Sequence, residues 1–232
     1  MKNKVKNFFK YNFLLSELVK KDIKLKYRRS ILGLFWTLLE PLLTMIVLAV
    51  VFSKLKGKNE EFFPIYILIG RLLYSFFANA TKSAMKAIRT NSGMIKKVYI
   101  PKYIYPLSNV MSNYIIFLLS LPVVVIVALV LKLPLTVYAF QCIIPLFLIF
   151  VMSLGVGMIL STLAVFFRDI EYLWSVALML IMYCSAIFYE PSDVSNKAYE
   201  WIFNYNPLYA IISNFRESII YGNAMNLHAL IY

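Results

Sequence analysis

The chain has 232 residues, of which 61% are hydrophobic and only 15% are charged. This balance lies far outside the range of soluble domains and predicts an integral membrane protein built from helices. The formal net charge of +13 comes from short basic blocks between long apolar runs. Such blocks favour anionic lipid headgroups as partners, and nucleic acid is not expected because no basic stretch lies in a soluble-looking domain.

The first 30 residues form a basic segment with ten Lys or Arg against Glu17 and Asp22. Residues 5–27 mix large apolar side chains with lysines, which predicts an interfacial helix lying in the membrane surface. Because Lys and Arg accumulate on the cytoplasmic side of membrane proteins, we expect 1–30 in the cytoplasm, with Arg28 and Arg29 at the cytoplasmic rim. No cleaved signal peptide is expected, since the segment lacks a short apolar core with a cleavage site.

Five apolar stretches follow and predict membrane spans. They cover residues 31–52, 62–81, 103–131, 133–167 and 172–189. Between the second and third, the 82–102 segment carries six Lys or Arg and no acid, so it is expected in the cytoplasm, whereas the more acidic 190–226 segment is expected outside. Five spans from an internal N-terminus would end the chain outside, and 226–232 resembles the opening of a sixth span that is cut off.

The first span contains an unusual acid, Glu40, followed by Pro41. A carboxylate near the bilayer centre is costly unless it is paired. Helical rise from the expected external ends of the first two spans puts Glu40 and Arg71 at depths that differ by only about 4–5 Å. We therefore expect the two side chains to face the protein interior and to pair, within a subunit or across a dimer. The alternative is a protonated Glu40 bonded to a free carbonyl or to Thr37.

Residue types that carry catalysis are scarce. The only histidine is His228, and both cysteines, Cys142 and Cys184, lie inside apolar runs as small hydrophobic fillers. We therefore expect no catalytic residues and no metal site. The chain lacks a phosphate-binding loop, so no cofactor is expected in it and any energy from ATP must come from another chain.

Five blocks in chain order carry a family resemblance. They read LVKKDIKLKYRRSILGLFWTLLEPLL, GMIKKVYIPKYIYPL, LAVFFRDI, SAIFYEP and NPLYAIISNFRESIIYG. Together they resemble the permease subunit of ABC-2 type exporters, the group that moves lipid-linked O-antigen, capsule or teichoic acid chains. The resemblance implies an all-α, six-span permease fold with a cytoplasmic coupling helix and short external re-entrant helices in 190–226. The sixth span is largely absent from this sequence.

The resemblance also implies an assembly and a location. It implies a homodimer bound to two ATP-binding subunits, which hold ATP and Mg, in the inner (cytoplasmic) membrane of a prokaryote with the N-terminus inside. The substrate would be a lipid-linked polysaccharide. An ABC-2 exporter of a small hydrophobic compound or drug is the alternative, and a membrane-embedded transferase or hydrolase is a third possibility that would need clustered acids or histidines. The sequence contains no such cluster.

The basic segment 86–97 aligns with the family's coupling helix, which docks into a cleft of the ATPase. Its apolar residues would form a knob that enters a partner groove while lysines surround it. An ordinary positive-inside loop is the alternative. The coupling residues are expected to be Ile88, Asn91, Ser92, Gly93, Met94, Ile95, Lys96 and Lys97. The pair Arg168-Asp169 ends the fourth predicted span, where it suits a cytoplasmic anchor, and the resemblance puts it near the ATPase-facing surface.

Two further patterns concern the membrane interior. Ser153, Gly157 and Ser161 recur every four residues, a spacing that predicts close helix packing rather than substrate contact. Aromatic rings can stack on the C–H faces of sugars, although interfacial belts and core packing absorb most aromatics in membrane proteins. The predicted substrate path consists of Trp36, Glu40, Arg71, Tyr74, Tyr183 and Tyr189.

Overall fold

The computed structural model describes residues 11–28, 30–56, 62–97, 99–133, 136–191, 201, 203 and 205–226. Within these ranges the regular elements are helical. They are α1 (Asn12–Tyr27), α2 (Trp36–Lys56), α3 (Phe63–Thr90), α4 (Ser92–Ile95), α5 (Ile104–Ser120), α6 (Pro122–Val130), α7 (Ile143–Phe166), α8 (Ile170–Cys184) and α9 (Pro207–Arg216). Short 3-10 turns precede α2 (Gly33–Phe35) and α7 (Val137–Cys142), and a π-helical turn (Glu217–Tyr221) follows α9.

Four helical stretches are long and apolar enough to cross a membrane. They are Gly33–Val51, Phe63–Thr90, Ile104–Val130 and Val137–Phe166, and α8 is a shorter apolar helix of 15 residues. The prediction of an all-helical, multi-pass membrane protein is therefore confirmed for the described residues. The six-span count stays a prediction, and both 227–232 and Arg29 lie outside the described residues.

Helix boundaries differ from the predicted spans at several places, and two of these differences have a clear physical reason. α3 continues nine residues beyond position 81, because Ala84, Met85 and Ala87 are buried against neighbouring helices and keep the chain helical. The third predicted span is divided into α5 and α6 at Pro122, which occupies the first position of α6, where its missing N–H costs nothing.

The centre of the bundle is α3, which packs mainly against α7 and α5. Gly157 of α7 lies at the tightest crossing, where an added Cβ would be 2.9 Å from the Ala84 Cβ and 3.5 Å from a Val110 methyl group. Ser153 and Ser161 are also buried on this face. The predicted packing role of these small residues is confirmed, since side chains of ordinary size would separate the helices.

The bundle has two ends, which we name by their composition. The basic end holds α1, the end of α3, α4 and the start of α8. Here Leu15 and Leu18 of α1 pack in one cluster with Ala87 of α3 and Ile104 and Tyr105 of α5. The far end holds the start of α3, the end of α8 and α9.

Candidate functional site

A polar cleft opens between α1, α2, α3 and α5. It consists of an inner cavity of about 110 Å³ and an outer cavity nearer the basic end. Lys26, Glu40, Asn79 and Asn113 line both cavities, so the two are continuous. We call the combined space the polar cleft; its charged and polar lining comprises Asp22, Lys26, Thr37, Glu40, Thr44, Arg71, Ser75, Asn79, Ser83, Asn109, Ser112, Asn113 and Ser120.

The polar lining follows from helical spacing. Asn79 and Ser83 are four residues apart on α3, and Asn109 and Asn113 are four residues apart on α5, so each pair forms a stripe along its helix. The two stripes line the same cavity. Polar side chains on these apolar helices are therefore gathered at one surface rather than spread towards lipid.

Glu40 and Arg71 both line the cleft, but at different depths. Asn79, which lies beside Glu40 in the outer cavity, is eight residues beyond Arg71, or about 12 Å along α3. The Arg71 Nη1 lies 3.7 Å from the Met182 sulfur, and its guanidinium carbon is 5.7 Å from the Tyr74 ring centroid. Among the described residues of one chain, Glu40 and Arg71 form no ion pair with each other. Pairing across a dimer stays a prediction.

The charges of α1 border the mouth of the cleft. Burial lowers the pKa of the Lys26 ammonium, and the nearby Glu40 carboxylate partly offsets this effect. Burial raises the pKa of the Asp22 carboxyl, against the opposing influence of Lys21 and of a hydrogen bond from Ser112. Glu40 thus lies close to the surface helix rather than isolated in the apolar centre.

The remaining predicted path residues are distributed elsewhere. Trp36 is 41% exposed at the start of α2 and Tyr183 is 56% exposed on α8. Tyr74 is buried and its hydroxyl donates to the Leu178 carbonyl at 2.8 Å, so it joins α3 to α8. The Tyr189 hydroxyl donates to the Tyr183 carbonyl at 2.6 Å. Of the six predicted path residues, the cleft therefore brings together only Glu40 and Arg71.

The predicted coupling residues lie at the basic end and point in two directions. Met94 is 40% exposed on α4, whereas Ile95 packs against the apolar cluster under α1, and Ile88 is half-buried. The Asn91 amide donates to the Ala87 carbonyl at 2.8 Å and ends α3. Ser92, Gly93, Lys96 and Lys97 are exposed. Met94 is thus the exposed apolar residue of α4.

An ion-pair cluster missed by the sequence analysis joins this segment to α8. The Glu171 carboxylate pairs with Arg89 and, at 3.3 Å, with Lys86 of α3. Arg168 and Asp169 are exposed in the turn just before it. The available sequence signal was Glu171 itself, an acid in the first turn of α8 that could pair with the strongly basic segment around Lys86 and Arg89.

Further side-chain contacts continue along the α3–α8 interface. The Trp174 Nε1 donates to the Thr81 hydroxyl at 3.1 Å, one turn beyond Glu171. The Leu178 carbonyl and the Met182 sulfur follow at four-residue intervals, and each contacts a polar side chain of α3. Long side chains therefore join α8 to α3 once per turn.

Comparison with known proteins identifies the family. The model of the family described as "ABC-2 type transporter" matches residues 14–220. The chain belongs to the ABC-2 type transporter family. It is 32% identical over 221 residues to an O-antigen export system permease protein, RfbA, of Klebsiella pneumoniae, covering 92% of this chain and 84% of the relative.

Two other relatives agree with this assignment. The chain is 28% identical over 224 residues to an RfbA protein of Myxococcus xanthus, covering 95% of this chain and 85% of the relative. It is 20% identical over 214 residues to the polysialic acid transport protein KpsM of Escherichia coli, covering 87% and 79%. The resemblance to ABC-2 permeases is confirmed.

In this ABC-2 chain, the blocks SAIFYEP and NPLYAIISNFRES meet at the far end. The Asn206 side-chain oxygen accepts hydrogen bonds from the N–H groups of Leu208 and Tyr209, which caps α9. Its amide nitrogen donates to the Cys184 carbonyl and the Ser185 hydroxyl, both at 3.1 Å. One side chain therefore joins the end of α8 to the start of α9.

Arg216 completes this arrangement and was also missed by the sequence analysis. It is 3% exposed, and its guanidinium donates to the carbonyls of Tyr66, Ala186 and Ile187. It also stacks on the Tyr66 ring, with its central carbon 3.4 Å from the ring centroid. We call Asn206, Arg216 and Tyr66 the far-end clamp. An Arg inside an otherwise acidic segment was the only signal in the sequence.

Proposed function

We propose that this ABC-2 chain is the permease subunit of an ATP-driven exporter of a lipid-linked polysaccharide. The observation that carries the proposal is similarity over about nine-tenths of the chain to permeases named for O-antigen export and, at lower identity, to a polysialic acid transport protein. The polar cleft supports it, because a hydrated surface within apolar helices suits a hydrophilic substrate. A small hydrophobic cargo would not need that surface.

The proposed assembly contains two copies of this chain and two ATP-binding subunits. ATP and Mg bind to those subunits, since the sequence contains no phosphate-binding loop. The basic end faces the cytoplasm of a prokaryotic cell, with the N-terminus inside, because Lys and Arg of α1, α3 and α4 gather there. The exposed Met94 and its neighbouring lysines form the docking surface for the ATPase.

Substrate-stimulated ATP hydrolysis tests the substrate class. The chain would be purified with the ATPase encoded beside it, and hydrolysis measured with lipid-linked glycan from the same organism and with hydrophobic drugs. We expect stimulation by the glycan only. Stimulation by drugs alone would overturn the proposal in favour of a small-molecule exporter.

Substitution of Met94 tests the docking surface. Met94→Asp is expected to abolish co-purification with the ATPase without lowering the thermal stability of the permease, because the side chain is exposed on α4. Met94→Leu keeps the apolar surface and serves as the control. Ile95→Asp should instead destabilise the permease itself, because Ile95 packs beneath α1. Normal assembly of Met94→Asp would show that docking occurs elsewhere.

A further inference from the structure

Several neutral polar side chains of the cleft donate a hydrogen bond to a carbonyl of their own helix. The Asn109 amide donates to the Tyr105 carbonyl at 3.0 Å and the Asn113 amide donates to the Asn109 carbonyl at 2.8 Å. Three hydroxyls behave in the same way. Thr37, Ser83 and Ser120 donate to the carbonyls of Leu34, Asn79 and Phe117 at 2.6–2.7 Å.

The groups left over for a ligand include both acceptors and donors. Among hydrogen bonds between described residues, none is accepted by the side-chain oxygens of Asn109 and Asn113. These hydroxyl oxygens can still accept hydrogen bonds through their lone pairs, because each uses its O–H to donate to a carbonyl. Asp22 and Glu40 add carboxylate oxygens. Each of these two amides has a second N–H, and Lys26, Arg71 and the Asn79 amide add further donors, so the cleft offers acceptors and donors together.

This mixture of donors and acceptors selects among ligand classes. An ionised phosphate has only acceptor oxygens, so it leaves the acceptors of the cleft unsatisfied and meets two carboxylates as well. An ammonium group would donate, but it meets Lys26 and Arg71. The two acids and the two bases cancel in formal charge. A neutral group rich in hydroxyls both donates to the acceptors and accepts from the two cations.

The surroundings of the cleft indicate how such a ligand is held. One face of α2 contributes Thr37, Glu40 and Thr44 to the cleft, at helical spacing. The opposite face is apolar and exposed, with Ile46 and Val50 more than half accessible. A ligand seated in the cleft therefore lies beside an exposed apolar surface.

We propose that the polar cleft is a binding site for the sugar rings of a lipid-anchored glycan, recognised through their hydroxyl groups, while the anchor lies along the outer face of α2. This inference rests on the proposed function and adds which part of the substrate the cleft contacts. Asn109 and Asn113 are the principal acceptors for the sugar hydroxyls. Lys26 and Arg71 donate to ring or hydroxyl oxygens.

Simple alkyl probes test the proposal on the full chain in lipid nanodiscs. Octyl β-glucoside, octyl phosphate and octyltrimethylammonium carry the same tail and differ only in the headgroup. Binding below micellar concentrations is measured by saturation transfer from the protein to the headgroup protons. We expect the glucoside headgroup to bind, and the doubly substituted Asn109→Leu, Asn113→Leu variant to bind it about tenfold more weakly.

Three variants keep the result interpretable. Ser175→Ala removes a hydroxyl that, like that of Ser83, donates to a carbonyl of its own helix; it lies outside the cleft, and the variant should bind as the wild type does. Asn113→Asp keeps an acceptor at the same place and should retain most of the binding. Ser83→Ala is a milder change that can be used if the double variant fails to fold. It should weaken binding about threefold.

Several outcomes would overturn the proposal that the cleft binds sugar rings. Cleft-dependent binding of octyl phosphate would make the site one for the phosphate of a lipid carrier or for lipid headgroups, and binding of the ammonium probe would make it an amine site. Glucoside binding that the cleft variants do not change, or no glucoside binding at all, would also overturn the proposal. Glycan-stimulated ATP hydrolysis could still occur in each of these cases. That assay therefore tests the proposed function independently of the binding site proposed for the cleft.

Discussion

The polar cleft and the far-end clamp use similar residues for different purposes. Both place Asn and Arg side chains among apolar helices. In the clamp, Arg216 and Asn206 donate to backbone carbonyls of other elements, so each polar group joins two parts of the chain. In the cleft, Asn109 and Asn113 donate only to their own helix and join nothing.

This difference separates polar groups that hold the fold from polar groups that are available to a ligand. Breaking a buried bond between elements leaves the remaining partner unsatisfied, which is costly inside a membrane protein. Removing an amide that bonds only within its own turn leaves a carbonyl that is still bonded in the helix. Substitutions in the clamp should therefore affect stability, whereas substitutions in the cleft should affect binding.

Arg216 gives the largest expected effect. Arg216→Met should lower the free energy of unfolding by about 3 kcal/mol or more, because it leaves the carbonyls of Tyr66, Ala186 and Ile187 without their donor. Arg71→Met, the matched change in the cleft, should cost less than about 1 kcal/mol. Thermal unfolding in detergent measures both. Equal losses would remove the distinction between the two regions.

Asn206 is expected to give the next largest effect. Asn206→Ala should cost about 2 kcal/mol, since it removes both the cap of α9 and the two bonds to the end of α8. Asn113→Ala in the cleft should cost about 0.5 kcal/mol or less. If the cleft variant proves the more damaging one, Asn113 supports the fold in a way that its described contacts do not explain.

Gly70 sharpens the comparison without removing a hydrogen bond. An added Cβ at Gly70 would collide with the Arg216 Nη2, so Gly70→Ala should displace the guanidinium and cost about 1–2 kcal/mol. Gly93→Ala on α4 meets no atom within 4 Å and should be neutral or slightly stabilising. A neutral Gly70→Ala would mean that the clamp adjusts easily.

Asp22 gives the smallest effect, which depends on pH. Because burial raises the pKa of its carboxyl in the folded protein, the folded state binds the proton more tightly than the unfolded state. The contribution of Asp22 to stability is therefore greatest below its ordinary pKa and is lost as the pH rises through the raised value. Asp22→Asn should remove this part of the pH dependence in thermal unfolding measured from pH 4 to pH 7. An unchanged profile would place Asp22 in full contact with water.

Sequence reasoning predicted the features that depend on composition and spacing. The apolar runs located the membrane helices, and the four-residue repeat of small residues located the crossing at Gly157. Helical rise predicted a pair between Glu40 and Arg71; both line one cavity, but they form no ion pair among the described residues of the chain. It failed to give their relative depth, because the level of each helix in the bundle is set by packing and not by its own length.

The residues that sequence reasoning missed depend on contacts between distant segments. Glu171 lies 82 residues from Arg89, and Arg216 lies 150 residues from Tyr66. Nothing local marks either residue as a partner. The same limit explains Tyr74, whose aromatic ring suggested a substrate path although its hydroxyl joins α3 to α8.

The double role of Asn206 bears on how this protein can diverge. Its amide fixes the end of α8 and its oxygen fixes the start of α9, so both ends of the intervening stretch of about 20 residues are held at one side chain. Each doubling of the length of a closed loop costs only about 0.6 kcal/mol. Insertions between residues 191 and 201 should therefore be tolerated in evolution, because they leave both helices and the buried Phe203 in place. A single insertion between Asn206 and Arg216 would turn Arg216 by about 100° around α9 and should be eliminated by selection.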